Sequence, residues 1–216
     1  MKIGILGTGV VGQTIGTKLV SLGHDVKMGA RAVANEKAEK WVKENGARAT
    51  HGTFADAAAF GEIIFNCTSG MASLDALRQA GARNLDGKIL IDVANPLDFS
   101  KGMPPTLSVC NTDSLGEQIQ RAFPGARVVK TLNTMNTSVM VDPGLVPGDS
   151  DVFVSGNDAA ARAQVTEILK SWFGWRSVID LGDITTARGT EMLLPIWLRL
   201  WSTFKTPNIN FHIAHP

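Results

Sequence analysis

Short apolar runs alternate with amphipathic stretches along most of the chain, and that alternation predicts a mainly parallel sheet covered by helices. Turn-bounded, largely β-branched runs predict strands at 2–6, 26–29, 63–67, 89–93, 127–132, 151–155 and 177–181. Between the first two, Val11, Ile15, Leu19 and Leu22 recur at helical spacing and Gly23 is placed to close the helix, which makes one βαβ unit. Further on, Asn157 or Asp158 can cap a helix whose Val165, Ile168, Leu169, Trp172 and Phe173 form one apolar, core-facing stripe. Two stretches depart from the pattern. Positions 94–112 have no period, and Asn95-Pro96 and Pro104-Pro105 predict a long loop after a strand, where open sheets bind ligands. Positions 190–204 carry Met192, Leu193, Leu194, Ile196, Trp197, Leu198, Leu200, Trp201 and Phe204 almost all round, which requires burial on several sides. Such a helix closes the core or an interface with a second copy, or its aromatic rings wall a flat substrate.

A chain of 216 residues buries one good core and is short for two full domains, so the expected organisation is one domain over 1–182 and a helical extension over 183–216. The extension completes the site or a homodimer interface. A net charge of +1 without a basic run argues against nucleic acid or anionic lipid, leaving a small molecule as the expected partner. The opening run breaks at Gly4 and Gly7, and no other segment reaches membrane-spanning length without a charge or proline. Cytoplasmic placement, with no membrane partner, is therefore expected. Cys67 and Cys110 make no disulfide framework, and His24, His51, His212 and His215 are scattered, so no metal site is expected. The chain contains no tyrosine, which excludes the Tyr-x-x-x-Lys proton relay of short-chain dehydrogenases.

The most informative motif is Gly7-Thr8-Gly9-Val10-Val11-Gly12, which follows the first strand and opens the first helix. Gly7 permits the tight turn, Gly9 leaves room for a pyrophosphate, and Gly12 lets helix and strand pack closely. Backbone amides at the helix N-terminus then face the phosphate charge. The fold class this implies is a Rossmann-type, doubly wound α/β sheet binding a dinucleotide. At the end of the second strand, where an NAD site places a carboxylate, the chain reads Met28-Gly29-Ala30-Arg31. A guanidinium there matches the oxygens of a 2′-phosphate, so NADP(H) is the expected cofactor, with Lys37 on the following helix to add a second positive charge.

With these residues in hand, the chain resembles the coenzyme F420-dependent NADP oxidoreductase family across nearly its whole length. The resemblance rests on the Gly7 to Gly12 loop, Leu22-Gly23-His24, Ala30-Arg31, and the tail Ala187-Arg188-Gly189-Thr190-Glu191 leading to Leu194-Pro195. It implies a hydride passing directly between a nicotinamide and a second redox ring, F420 or a flavin, at the carboxyl edge of the sheet. By resemblance Thr8, Val10, Val11, Arg31 and Lys37 line the NADP end, and Cys67, Thr68 and Ser69 flank the nicotinamide half. Asn95 and Asn133 complete the cofactor set, and the segment Asn133-Thr134-Met135-Asn136 faces the second substrate. Archaeal members tend to carry an extra glycine in the loop and a histidine where Asn133 stands. Arg188, Arg199 or Lys205 can supply charge for an anionic acceptor tail, although Arg188 and Glu191 also read as a structural ion pair. His24 reads as a loop residue.

No residue is assigned as catalytic. Two stacked hydride carriers need alignment and dryness rather than a proton donor. Two alternatives stay open: an NADPH-dependent reductase of a quinone, ketone or other small acceptor, and a non-catalytic NADP-sensing module. Related dehydrogenases with a large helical substrate domain are excluded, because the tail is too short to form one.

Overall fold

In the computed structural model, residues 1–215 are described. Eight strands form the main sheet: β1 (Lys2–Leu6), β2 (Asp25–Ala30), β3 (Ala49–Thr53), β4 (Ile63–Asn66), β5 (Ile89–Asp92), β8 (Arg127–Thr131), β9 (Asp151–Ser155) and β10 (Ser177–Asp180). The remaining two, β6 (Leu97–Asp98) and β7 (Thr106–Leu107), make a small antiparallel hairpin inside the 94–112 loop. The helices are α1 (Val10–Ser21), α2 (Glu36–Asn45), α3 (Phe54–Phe60), α4 (Gly70–Ala80), α5 (Ala82–Leu85), α6 (Leu115–Ala122), α7 (Thr137–Val141), α8 (Ala159–Phe173), α9 (Ala187–Met192) and α10 (Leu194–Phe204).

The strand order is β10-β9-β8-β5-β4-β1-β2-β3. The six strands from β8 to β3 are parallel, while β9 pairs antiparallel with β8 and parallel with β10. The chain is therefore doubly wound and mainly parallel. Alternate residues of the central strands serve two separate cores. Ile3, Ile5, Phe65 and Ile91 pack with α1 and α8 on one face, and Leu6, Ile64, Leu90 and Val128 pack with α3, α4 and α6 on the other. Burial on both faces explains why these strands read as continuous apolar runs.

Asp158 caps α8 by accepting from the Ala161 N–H, and Gly174 ends it in the left-handed conformation. Edge strand β3, Ala-Thr-His-Gly-Thr, carries no apolar run and is the strand of the main sheet that the pattern misses. In the tail, Pro195 opens α10, of which Leu194 and Trp197 are buried. Ile196, Trp201 and Phe204 stay 47, 42 and 61% exposed, so within one chain this helix is not enclosed on several sides as its composition required. Among the described residues no helix is long and apolar enough to cross a membrane.

Candidate active site

The β1–α1 turn brings three glycines into three different demands. Gly7 has φ +115°, and a Cβ there would lie 2.6 Å from the Cys67 carbonyl oxygen at the end of β4. At Gly12 a Cβ would lie 2.2 Å from the Gly7 oxygen, so the helix rests directly on its own loop. A Cβ at Gly9 would meet nothing within 4 Å. Gly9 is also the N-cap of α1, and no side chain caps that helix, which leaves first-turn amides facing open space. A cavity of about 200 Å³ sits here, lined by Gly7, Thr8, Gly9, Arg31 and Thr68 among others. An open cradle of backbone donors with a guanidinium at its rim fits a pyrophosphate and a 2′-phosphate. Lys37 is exposed in the first turn of α2 and does not line this cavity; Val10 is exposed on α1.

A second cavity, about 360 Å³, shares Cys67, Thr68 and Ser69 with the first and extends along the carboxyl ends of β4, β5 and β8. Val11, Asn95 and Asn136 line it, and Trp197 and Trp201 wall it with ring centroids 5.8 Å apart. The shared segment follows β4, beside β1, where the strand order reverses; open sheets bind ligands at such a switch point. Asn133 does not line the cavity. It is buried behind Asn95, donating from Nδ2 to Asn95 Oδ1 at 3.0 Å, while Asn95 Nδ2 donates to the Asn133 carbonyl at 2.8 Å. The Cys67 thiol lies buried at the junction, where burial and then the Asp92 carboxylate push its pKa far up, so it is a neutral wall and not a nucleophile. A third cavity, about 530 Å³, lies at the N-terminal ends of β9 and β10 among Asp149, Asp151, Arg176 and His212. It shares no residue with the glycine loop, and volume alone does not outweigh that cradle.

Beneath the cleft runs a buried polar chain that the sequence reading did not single out. Lys130 Nζ, on β8, lies 2.8 Å from Asp92 Oδ2 on β5 and 2.8 Å from Glu191 Oε1 on α9, all without exposure beyond 2%. Burial works against the ammonium, but the two carboxylates outweigh it and hold the Lys130 pKa above its usual value. Glu191 also accepts from the Leu115 and Gly116 N–H groups at the start of α6, at 2.8 and 3.0 Å. Arg188 instead forms a two-pronged bond to Glu117 on α6. The expected Arg188–Glu191 pair is thus replaced by two separate clasps, because the short α9 points the two side chains to different partners. The available signal was a charged residue, Asp92 or Lys130, inside an otherwise apolar strand run. The His24 ring lies 4.3 Å from that of Trp172, tilted by 43° and away from the cleft, and burial followed by the N-terminal charge lowers its pKa. Among the described residues no group of three or more His, Cys, Asp or Glu side chains is placed to hold a metal ion.

Comparison with known proteins places these features in context. The family model described as "NADP oxidoreductase coenzyme F420-dependent" matches residues 2–96. A crystal structure of a candidate F420-dependent NADP-reductase from Arthrobacter sp. FB24 is 58% identical, with TM-score 0.95 and 100% of both chains covered. The F420-dependent NADP reductase of Methanocaldococcus jannaschii is 28% identical, covering 100% of this chain and 99% of that protein. Metalloreductase STEAP3 of Rattus norvegicus is 29% identical over 96% of this chain, which spans 38% of that protein's length.

Proposed function

The chain belongs to the coenzyme F420-dependent NADP oxidoreductase family, and from that premise we propose that it moves a hydride between NADP(H) and a second planar redox ring, F420 or a flavin. The observation that carries the reading is the pair of cavities joined at Cys67, Thr68 and Ser69, one with a glycine cradle and Arg31, the other walled by Trp197 and Trp201. When bound, the nicotinamide supplies the hydride chemistry. The chain's own residues align and dry the site. Gly7, Gly9 and Gly12 admit the pyrophosphate to the α1 amides, Arg31 holds the 2′-phosphate, and Asn95, steadied by Asn133, lines the far wall. The two indole rings offer faces on which a flat acceptor stacks. Of three cations expected for an anionic acceptor tail, Arg188 is committed to Glu117, which leaves exposed Arg199 and Lys205 on and just after α10.

The acceptor cavity's lining favours a second reading. Its named walls are apolar or neutral, including Val93, Leu97, Phe99, Met140 and Leu194, and such a pocket also suits an uncharged quinone or ketone. The exposed Ile196 and Phe204 of α10 further lead us to propose pairing with a second copy, which sedimentation at rising concentration tests. Stopped-flow mixing of the protein with NADPH deuterated on one or the other C4 face, and with F420 or FMN, decides the acceptor. Direct transfer of one deuterium isomer to the ring is expected. Reduction of a quinone or ketone alone moves the assignment to the second reading, and tight NADPH binding without any reduction supports a sensor.

A further inference from the structure

The buried chain below the cleft fixes where its protons lie from Lys130 as far as the Thr68 hydroxyl. An ammonium has three N–H donors, and Lys130 has three acceptors: Asp92 Oδ2 and Glu191 Oε1, both at 2.8 Å, and the Ala94 carbonyl. A carboxylate only accepts, so Asp92 Oδ1 must receive from its other neighbours, Asn66 Nδ2 at 2.8 Å and the Ala94 N–H at 3.2 Å. That fixes the Asn66 amide. Its nitrogen faces Asp92 and Ser73, and its oxygen faces the β4–α4 turn, where it receives the Thr68 N–H at 3.3 Å. The same oxygen lies 2.7 Å from Thr68 Oγ1. Two oxygens that close need a proton between them, and Asn66 Oδ1 has none to give. The single hydroxyl proton of Thr68 is therefore directed inward. The one proton of Ser73 Oγ has two acceptors, Thr68 Oγ1 at 2.8 Å and the Ser69 carbonyl at 3.2 Å, and neither choice returns a proton to Thr68. At least one lone pair of Thr68 Oγ1 is left over, and no proton.

We propose that the Lys130–Asp92–Asn66 chain makes the Thr68 hydroxyl an obligate acceptor toward the cleft, and so selects a cofactor ring that carries a hydrogen-bond donor, as the nicotinamide carboxamide does. Thr68 lines both halves of the cleft, at the junction where the ring is to lie. Lys130, Asp92 and Asn66 are positioning residues in this account, acting through Thr68. The inference rests on reading the cleft as the NADP site.

The test compares dissociation constants, by titration of tryptophan fluorescence, for NADP⁺ and its 3-acetylpyridine analogue, in which a methyl group replaces the carboxamide nitrogen. The wild-type protein and Thr68→Ser are expected to favour NADP⁺ by up to about tenfold, the weight of one hydrogen bond. Thr68→Val keeps the shape and loses the acceptor, so its ratio falls toward one. In Asp92→Asn, Lys130 claims the new amide's oxygen, the amide nitrogen turns to Asn66, and Asn66 turns over. Thr68 then receives a proton from Asn66 and its own is released, so the preference is lost here too. Circular dichroism checks each fold, and Thr68→Val, at a half-buried turn, carries the test if Asp92→Asn does not fold. An unchanged ratio in Thr68→Val overturns the inference while leaving the cofactor site intact. A retained ratio in folded Asp92→Asn overturns the role of the chain. Failure of the wild-type protein to bind NADP⁺ overturns the cleft reading itself.

Discussion

Glycines nine and twelve differ by three positions in sequence and by the whole character of what a side chain would meet. At Gly12 a Cβ collides with backbone 2.2 Å away, so Gly12→Ala should destabilise the fold and lower the midpoint of thermal denaturation. At Gly9 a Cβ meets open space, so Gly9→Val should fold normally and lose dinucleotide binding, since the new side chain fills the pyrophosphate's place. Circular dichroism and NADPH titration of both variants separate the two effects; equal folding defects would remove the argument. Arg31→Ala should raise the NADPH dissociation constant at least about tenfold, roughly 1.4 kcal/mol, and leave NADH nearly unchanged. Equal losses for both cofactors would mean that Arg31 does not read the 2′-phosphate. The glycines were legible because their geometry is local, a strand, a turn and a helix start within a dozen positions, and Arg31 because it follows the next strand, β2. The polar chain was not legible, since its hydrogen bonds span 26 positions from Asn66 to Asp92 and 38 from Asp92 to Lys130. Only the sheet order brings them together.

Between elements, the weight falls on α6, which the tail grips twice through Arg188–Glu117 and Glu191–Leu115/Gly116. Its flank carries a third clasp, in which the Arg121 guanidinium holds the Asp113 pKa at about 2, below the ordinary 3.8. The bond from Arg188 likewise holds Glu117 low. A carboxyl group whose folded pKa is depressed stabilises fully above its unfolded value and loses that contribution as pH falls through the folded value. Thermal stability should therefore drop between about pH 4 and pH 2, and Glu117→Gln should flatten part of that drop. An identical pH profile in the variant would show that the clasp does not contribute. Lys130→Met leaves Asp92 and Glu191 buried without their cation and should cost about 3 to 5 kcal/mol, read from denaturant midpoints. At this scale periodicity served well for the strands buried on both faces and poorly at the margins. Half-exposed β3 shows no apolar run, and the all-round apolar composition of α10 could not say how much of it one chain covers.

Across the whole molecule, the segment after β10 joins three places that sequence distance keeps apart. Its α9 enters the core through Glu191, α10 walls the second cavity with Trp197 and Trp201, and the residues beyond it return to the sheet at the start of β9. That return is held by four bonds at Asp151. Its N–H donates to the Phe211 carbonyl at 2.9 Å, and its carbonyl accepts from Asn210 Nδ2 at 3.0 Å. Its carboxylate accepts from the Ile213 N–H at 2.6 Å and contacts His212 Nδ1 at 3.1 Å. The strap so anchored places the Ile209 carbonyl 3.2 Å from the indole Nε1 of Trp197, and Pro207 against the same cavity. No residue of the strap lines the glycine cradle. Ending the chain after Lys205 should thus leave the NADPH dissociation constant within about twofold of wild type, while the loss of one buried indole bond raises the acceptor KM by roughly five- to tenfold. Asp151→Asn, which weakens the anchor without shortening the chain, should shift KM in the same direction by less, because both backbone bonds remain and an uncharged amide oxygen in the place of Oδ2 still accepts from the Ile213 N–H. Steady-state kinetics with the acceptor identified by deuterium transfer, alongside NADPH titration, makes the comparison. An acceptor KM unchanged in both variants would show that Trp197 is held by α10 alone, whereas parallel losses in NADPH affinity would mean that the strap supports the whole carboxyl edge of the sheet rather than the acceptor's wall.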